Sequence, residues 1–375
     1  MSFLTSLRRF AVLAAWVTPA AAAAQSTAAP RIDISGLLFG AYSYRTNPEA
    51  QNANKFDLER VYLNFRAPVA DRWSLRYTPD ISPQQAGTGY VLRTKYAYVQ
   101  YDRPANKAGW SGLVRAGALQ TVAIEHIESF WLRWMGTASV ERFGYFSSAD
   151  VGVATQLNFP HKRGELYAVW SNGNGYASPE TDRFKSYAAR LSLTPFADRK
   201  AGLLKTFTLS PWVDINAGAS KFVNGGAGQV GAVGEGLTKN RFGVWTGIKD
   251  PRLVLAAGYS QRVDGTESGA NTTASPRHVA DVTGRLLSGL VVVRPMQLVD
   301  STSKSPLSVL LRYDAVTPNT DVSKSDHLFE GSLILDLTKN KRTQLAFDYQ
   351  ETLGTVPAAT IAPTKMYQVR LVTNF

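Results

Sequence analysis

The chain has 375 residues, no cysteine and a formal net charge of +12, from 41 Lys and Arg against 29 Asp and Glu. The absence of cysteine excludes disulfides, so a chain of this length needs another source of cooperativity. Its basic residues are scattered at strand spacing with no clustered stripe, which argues against a nucleic-acid-binding protein.

The first 24 residues predict a secretory signal peptide, residues 1–24. Arg8 and Arg9 precede a short apolar run, and an alanine tract that ends at Ala24 fits an A-x-A cleavage site. Cleavage there removes two arginines and no acids, which leaves residues 25–375 with a net charge of +10. No later segment approaches the roughly 18 to 20 apolar residues that a membrane helix needs. We therefore expect an exported chain, and closure into a barrel would supply the missing cooperativity.

Alternation of apolar and polar residues between turn residues predicts about sixteen strands, an even number as in bacterial single-chain barrels. In chain order they are Ile32–Tyr44, Phe56–Ala67, Trp73–Ile81, Tyr90–Asp102, Gly112–Thr121, Val151–Phe159, Glu165–Ser171, Phe184–Thr194, Thr206–Ala217, Asn240–Ile248, Arg252–Val263, Val279–Arg294, Leu307–Ala315, His327–Leu337, Arg342–Glu351 and Met366–Phe375.

The connections between these strands differ at the two ends. Those after even-numbered strands are mostly short, such as Pro68–Asp71 and Lys249–Pro251. Those after odd-numbered strands are longer and richer in Gly, Asn, Ser and Thr, such as Lys221–Leu237 and Asp264–Pro276. Pro295–Pro306 is the exception, because it is long where a short turn is expected. Short turns on one rim and long loops on the other are typical of outer-membrane barrels.

The apolar and polar faces of the strands also favour an outer-membrane barrel. In Leu307–Ala315 the apolar residues alternate with Ser308, Arg312 and Asp314. A soluble sandwich would also alternate, with its apolar face buried. Length, strand number, the signal peptide and the difference between short turns at one end and long loops at the other together favour an all-β transmembrane antiparallel β-barrel. In such a barrel every backbone group pairs internally. The patterned last strand ends in Phe375, which resembles the signal read by the barrel assembly machinery of outer membranes.

The segment Val122–Asp150 interrupts this pattern. Its 29 residues are rich in aromatics and mixed charge, and long insertions in regular β proteins are more often functional than accidental. We predict an inward-folded third extracellular loop that narrows the lumen, with Trp131, Trp134, Phe143 and Phe146 anchoring it to the wall. An ordinary surface lid is the alternative.

Three stretches carry a resemblance to a known family. They are KFDLERVYLNFRAPVADRWSLRYTPDI (Lys55–Ile81), SFWLRWMGTASVERFGYFSSADVGVATQL (Ser129–Leu157) and AVWSNGNGYASPETDRFKSYAARLSLTPF (Ala168–Phe196). They are similar to Gram-negative outer-membrane porins of the phosphate-selective porin O and P type. The resemblance implies a sixteen-stranded barrel, usually a homotrimer, that passes small anions or other hydrophilic solutes by diffusion. The second half matches only in layout and in its final Phe375, and without a full ladder of pore arginines phosphate specificity is not carried over.

Selectivity in such a channel would come from lumen charge and constriction size. Seven arginines oppose the apolar face of their strands, although Arg115 has two plausible registers: Arg60, Arg66, Arg76, Arg115, Arg241, Arg312 and Arg370. A ring of guanidinium groups would raise the local anion concentration. The alternative is that they pair with lumen acids and merely fix the shape of the barrel. Candidate acids are Asp80, Glu330, Asp336 and Asp348.

The loop itself offers charges of both signs. Arg133 and Arg142 could face Glu125, Glu128 and Glu141 across the eyelet and give a transverse field. His126 lies beside Glu125, but neither a second His nor a Cys is close in sequence, so we expect no metal or cofactor there.

These patterns predict a general or weakly anion-selective porin of the cell outer membrane, without enzyme activity. Its expected partners are small hydrophilic solutes or anions, membrane lipid, and anionic lipopolysaccharide near basic rim residues. One rival is an outer-membrane enzyme such as a lipid hydrolase with a Ser–His pair, although no nucleophile motif accompanies its four histidines, His126, His161, His278 and His327. Another is a closed structural or adhesive barrel with a plugged lumen.

Overall fold

One antiparallel sheet of seventeen strand segments makes up the computed structural model. The structure describes residues 31–46, 53–83, 89–222, 228–322, 324–354 and 364–375. The predicted signal peptide, residues 1–24, lies outside the described residues. Ile32–Phe375 forms one unit, and among the described residues no helix has the length and apolarity to cross a membrane.

The strand boundaries lie within a few residues of those predicted from alternation. They are β1 (Asp33–Thr46), β2 (Ala53–Ala70), β3 (Trp73–Pro83), β4 (Tyr90–Arg103), β5 (Ser111–Gln120), β6 (Ala149–Asn158), β7 (Gly164–Ser171), β8 (Ser186–Leu193), β9 (Thr208–Ile215), β10 (Ala217–Ala219), β11 (Gly236–Asp250), β12 (Leu253–Ser268), β13 (His278–Val293), β14 (Leu307–Thr317), β15 (Asp326–Asp336), β16 (Thr343–Gly354) and β17 (Thr364–Asn374).

The sheet closes on itself. Consecutive strands pair with each other except β9 and β10, and β1 pairs with both β2 and β17. Because β9 and β10 are separated by Asn216 alone and both pair with β11, they occupy one position in the ring. The described chain is therefore a closed antiparallel β-barrel of sixteen positions, which confirms the predicted fold class. Closure leaves no sheet edge.

The C-terminal residue contributes to this closure. The backbone N–H of Gly36 donates to the carbonyl oxygen of Phe375 at 2.9 Å, and the N–H of Phe375 donates to the carbonyl oxygen of Gly36 at 3.1 Å. A Cβ on Gly36 would lie 2.1 Å from the Phe375 ring. Glycine at position 36 therefore makes room for the terminal aromatic side chain.

The two ends of the barrel differ as the sequence predicts. At the short-turn end, residues 71–72 connect β2 to β3, and residues 251–252 connect β11 to β12. Two connections at this end are longer, residues 194–207 and residues 294–306. They contain the 3₁₀ helix η3 (Leu203–Thr206) and the α-helix α3 (Pro295–Val299) respectively. The opposite end carries the long loops and is called the long-loop end below.

The faces of the strands follow the predicted alternation. In β14, Ser308, Leu310, Arg312, Asp314 and Val316 are buried inside the barrel, whereas the residues between them are more exposed. In β5, Arg115 is the cross-strand partner of Gln100, and its Nε–H donates to Gln100 Oε1. Of the two registers considered for Arg115, the structure therefore has the one that places it inside the barrel.

A β-bulge in β4 breaks the alternation. The register against β3 shifts between Thr78 and Pro79, so Lys95 has no partner of its own. Lys95 and Tyr96 are both buried, with 4% and 5% of their surface exposed, and both take part in cation–π contacts inside the barrel. Bulges of this kind redirect a side chain from one face of a sheet to the other.

Candidate pore constriction

Residues 121–148, called the constriction segment, leave the wall between β5 and β6. Gln120 and Ala149 are cross-strand partners, so the segment departs and returns at the same point. It contains α1 (Ile124–Glu128), the 3₁₀ helix η1 (Arg133–Met135) and α2 (Ser139–Arg142). Most of its apolar residues are almost fully buried, including Val122, Ile124 and Met135 at 0% exposure. A surface lid would leave such residues half in solvent.

Arginines on widely separated strands hold the backbone of this segment. Arg241 on β11 donates to the carbonyl oxygen of Tyr145 at 3.1 Å. Arg312 on β14 donates to that of Thr137 at 2.9 Å, and Arg370 on β17 donates to that of Trp134 at 3.1 Å. Arg190 on β8 donates to the carbonyl oxygen of Val122. The segment therefore contacts inward faces along a large part of the ring.

Three of these four arginines, Arg241, Arg312 and Arg370, each bind a carboxylate with buried or half-buried surroundings as well. Arg241 lies 2.6 Å from Asp264, and Arg312 lies 2.6 Å from Asp314 and 4.0 Å from Glu330. Arg370 lies 2.7 Å from Glu59 and 3.2 Å from Asp348. Their side chains are 2% to 5% exposed. A buried and paired charge of this kind fixes shape more than it attracts ions, as in the pairing alternative above.

Aromatic side chains of the segment pack against the wall, as predicted for Trp131 and Phe146. The Arg312 guanidinium lies 4.4 Å from the centre of the Trp131 ring. Phe146 makes an edge-to-face contact with Trp212 at 5.0 Å between ring centres. Trp134 is 4% exposed, and the carbonyl oxygen of Phe143 accepts a hydrogen bond from Arg262 at 3.4 Å.

The segment also reaches the wall formed by β2 and β4. The hydroxyl oxygen of Tyr62 accepts from Arg133 Nε at 3.3 Å and from Lys95 Nζ at 3.4 Å. The Lys95 ammonium lies 4.6 Å from the centre of the Tyr62 ring and 5.5 Å from that of Tyr96. Among the described residues no carboxylate lies within ion-pair distance of Lys95. The sequence analysis did not include Lys95 among the inward-facing residues. The irregular alternation of TKYAY, residues 94–98, could have indicated it.

The charges of the segment lie differently from the predicted arrangement across an eyelet. Arg133 sits beside Glu128 at 3.2 Å and Glu141 at 3.7 Å, because the short helical turns bring these residues together. Glu125 instead faces the wall and lies 3.8 Å from Arg76. Burial and the nearby Arg312 on β14 lower the pKa of Arg142.

A cavity of about 440 Å³ opens on the short-turn side of the segment. Arg66, Arg76 and Arg115 line it together with the carboxylates of Asp33 and Glu125. We call it the arginine vestibule.

Most of the arginine contacts in this vestibule are to neutral groups. Arg76 donates to Asn64 at 2.9 Å and to Thr78 at 3.1 Å. Arg115 donates to Gln100 at 2.7 Å and to Gln120 at 3.0 Å. The Arg66 side chain is exposed, and among the described residues it has neither a hydrogen bond nor an ion pair. Amide and hydroxyl groups orient a guanidinium without neutralising it.

The remaining predicted arginine, Arg60, lies between the buried, paired arginines and those of the vestibule in its pairing and exposure. It lies 2.8 Å from Asp80, as the pairing alternative expects, but its side chain is 23% exposed. The fourth predicted acid, Asp336, pairs at 2.8 Å with Arg294, an arginine that the sequence analysis did not include.

A second cavity of about 400 Å³ lies on the long-loop side, between the segment and strands β6 to β11. Asp150, Asp214, Lys239 and Arg241 line it. Asp150 accepts from the backbone N–H groups of Val151 and Gly173, and Asp214 accepts from Ser186. This cavity carries both signs of charge, unlike the arginine vestibule.

His126 predicts a pH dependence for the constriction segment. Burial and the cations Arg190 and Lys249 lower its pKa to about 3 from 6.5. Between pH 6.5 and 3 the unfolded chain binds a proton at His126 that the folded protein does not bind. The free energy of unfolding is therefore highest above pH 6.5 and falls as the pH drops toward 3. Glu128 acts oppositely, since burial raises its pKa.

We expect the melting temperature of wild type, relative to His126→Gln, to decrease as pH falls through this window. The check is thermal denaturation in detergent of both proteins at a series of pH values. A difference that stays constant with pH would contradict the assignment.

The other histidines lie apart from one another. His161 is in the short turn after β6 and has a positive φ of 58°. His278 begins β13, and His327 Nδ1 lies 2.7 Å from the hydroxyl oxygen of Tyr313 on the outward face. Among the described residues, no group of three His, Cys, Asp or Glu side chains is placed to hold a metal ion.

No protein-family model and no curated protein matches the chain. Solved structures do match it. The outer membrane channel DcaP of Acinetobacter baumannii is 12% identical and aligns over 94% of this chain and 100% of its own, with a TM-score of 0.62. The anion-selective porin of Comamonas acidovorans is 10% identical over 92% and 100%, with a TM-score of 0.61.

A trimer form of OmpT, an outer membrane protein of Vibrio cholerae, is also similar. It is 11% identical over 93% of this chain and 100% of its own, with a TM-score of 0.58. At such identities the likeness shows that this chain shares the barrel fold of these proteins along nearly its whole length.

Proposed function

We propose that the protein is an outer-membrane porin that passes small hydrophilic solutes by diffusion and prefers anions. The arginine vestibule is the observation that carries this proposal. Its three guanidinium groups face two carboxylates, and most of their close contacts are to amides and hydroxyls. A cleft lined by an excess of one charge within low-dielectric walls concentrates ions of the opposite sign.

The constriction segment supplies the second element of a selective channel. A sixteen-stranded barrel without an inserted loop encloses a wide aqueous bore, which discriminates poorly between solutes. The segment narrows that bore, and its fixed contacts with β2, β11, β14 and β17 keep the narrowing in one place. Size and charge then act together on each solute.

A closed structural barrel is the second candidate. The contact between Arg133 and Tyr62 favours it, because the segment then contacts inward faces on β2 as well as on β8, β11, β14 and β17. Conductance separates the two candidates, since a plugged barrel passes no ions. We do not propose an enzyme, because the histidines are dispersed and no nucleophile motif accompanies them.

Liposome swelling tests the proposed function. Purified protein in liposomes should let a small neutral sugar enter, and a small organic anion should enter faster than a cation of similar size. Liposomes without protein are the control. No swelling with any solute would contradict the channel, and faster entry of the cation would contradict the anion preference.

Partners and assembly follow from the same proposal. The apolar outward face would contact membrane lipid, and basic rim residues would contact lipopolysaccharide. The strand that ends in Phe375 would be read by the barrel assembly machinery. A homotrimer is proposed from the family resemblance and from the trimeric form of one structural neighbour.

A further inference from the structure

A second loop, residues 172–185 between β7 and β8, also sends a side chain into the bore. The hydroxyl of Tyr176 donates to Asp80 Oδ2 at 3.3 Å. Asp80 lies on β3, faces inward and is 1% exposed, and its Oδ2 also accepts from Arg60 at 2.8 Å. Tyr176 itself packs against the buried apolar cluster of the barrel. The loop therefore extends from its own strands, β7 and β8, to a strand four positions away in the ring.

The start of this loop is fixed at two further points. The backbone N–H of Gly173 donates to Asp150 Oδ2 at 2.6 Å, and its carbonyl oxygen accepts from Lys239 Nζ at 2.9 Å. Gly175 has a φ of +76°, and a Cβ there would lie 2.6 Å from the hydroxyl oxygen of Ser147. Glycine is required at position 175 because the loop packs directly on the constriction segment. Residues 172–176, called the strap, therefore have a defined course.

A chain of contacts links the strap to the constriction segment. Tyr176 binds Asp80, and Asp80 binds Arg60. The Arg60 guanidinium in turn lies 5.8 Å from the centre of the ring of Tyr62, whose hydroxyl oxygen accepts from Arg133 of the constriction segment. Gly173, Asn174 and Gly175 line the long-loop cavity on its other side. The strap and the constriction segment therefore border the same cavity on the long-loop side.

We propose that the strap is a second constriction in series with residues 121–148, and that the Tyr176–Asp80 hydrogen bond sets the size of solute that passes. The inference rests on the proposed channel function. This hydrogen bond ties the Tyr176 side chain to β3. Loss of either partner would free the Tyr176 side chain and widen the passage, whereas the start of the strap and the constriction segment, which have separate anchors, would stay in place.

Conductance and solute size limits test this inference. The variants are Tyr176→Ala, Tyr176→Phe and Asp80→Ala, with Tyr187→Ala on the outward face as the control, since Tyr187 is 58% exposed there. Single-channel conductance should rise by about 1.5-fold or more in Tyr176→Ala and Asp80→Ala, because pore diameter governs passage. Larger neutral saccharides should also enter liposomes faster. Tyr187→Ala should match wild type.

The phenylalanine variant distinguishes the effect of the Tyr176–Asp80 hydrogen bond from that of the packing of the ring. Tyr176→Phe keeps the ring and removes the hydroxyl, so the proposal expects a rise toward the alanine variant. Retained heat-dependent migration on gels would show that each variant folds. Wild-type conductance and size limits in both Tyr176→Phe and Asp80→Ala would overturn the inference. Absence of any conductance in wild type would instead remove the proposed function.

Discussion

Replacing Arg66, Arg76 and Arg115 together with glutamine is expected to lower the ratio of anion to cation permeability roughly fivefold. One charge about 7 Å from a passing ion contributes roughly 0.6 kcal/mol in water, and salt screens part of it. Three such charges, after screening by salt, lower the energy of an anion and raise that of a cation by about 0.5 kcal/mol each. The two ions then differ by about 1 kcal/mol, which corresponds to the expected factor. The carboxylates of Asp33 and Glu125 would remain in the vestibule. The measurement is the zero-current potential in a KCl gradient.

Glutamine suits this experiment because it retains hydrogen-bonding capacity toward Asn64, Thr78, Gln100 and Gln120. The matched control replaces Arg72, Arg103 and Arg163, which are exposed and lie outside the lining of the vestibule. This control variant should keep the wild-type permeability ratio. An equal shift in both triple variants would show that total charge matters and that the vestibule does not.

Deleting the constriction segment should have the largest effect on conductance. Because Gln120 and Ala149 are cross-strand partners, an Asn-Gly turn in place of residues 121–148 can join them without strain. We expect single-channel conductance to rise roughly threefold or more, since a sixteen-stranded barrel without an inserted loop leaves an open aqueous channel. Arg241, Arg312 and Arg370 would keep their carboxylate partners, so the deletion would not leave these three arginines unpaired.

The deletion also exposes apolar lumen residues such as Leu310 and Ile334, so we expect a lower melting temperature for the variant. The backbone ladder of the ring does not involve the segment, so the barrel should remain closed. Replacing residues 270–275 between β12 and β13 by the same turn is the matched control and should leave conductance unchanged. Wild-type conductance in the deletion variant would mean that the segment does not narrow the path.

Alternation along the strands was enough to predict the barrel. Each predicted strand overlaps an observed one, because a strand with one outward and one inward face must alternate with a period of two residues. The same pattern placed Arg312 and Arg370 inward, as observed. Strand boundaries shifted where hydrogen bonding continues into residues without clear alternation, as in β12, which extends to Ser268.

The candidate site was only partly predictable. Sequence periodicity shows which face a residue occupies but not what lies opposite, so it could not separate Arg76, which binds mainly neutral groups, from Arg312, which binds carboxylates. Lys95 was missed because a bulge reverses its direction. Tyr176 was missed because a loop residue has no periodicity, and its contact with Asp80 depends on the ring of strands between them.

The zero-current potential of the wild-type protein in a KCl gradient tests the central claim most directly. A planar bilayer with protein between concentrated and dilute KCl should give a potential of the sign produced when chloride crosses faster than potassium. The arginine vestibule and the narrowing by residues 121–148 together predict this sign. A potential of the opposite sign, or a bilayer that carries no current, would contradict the account.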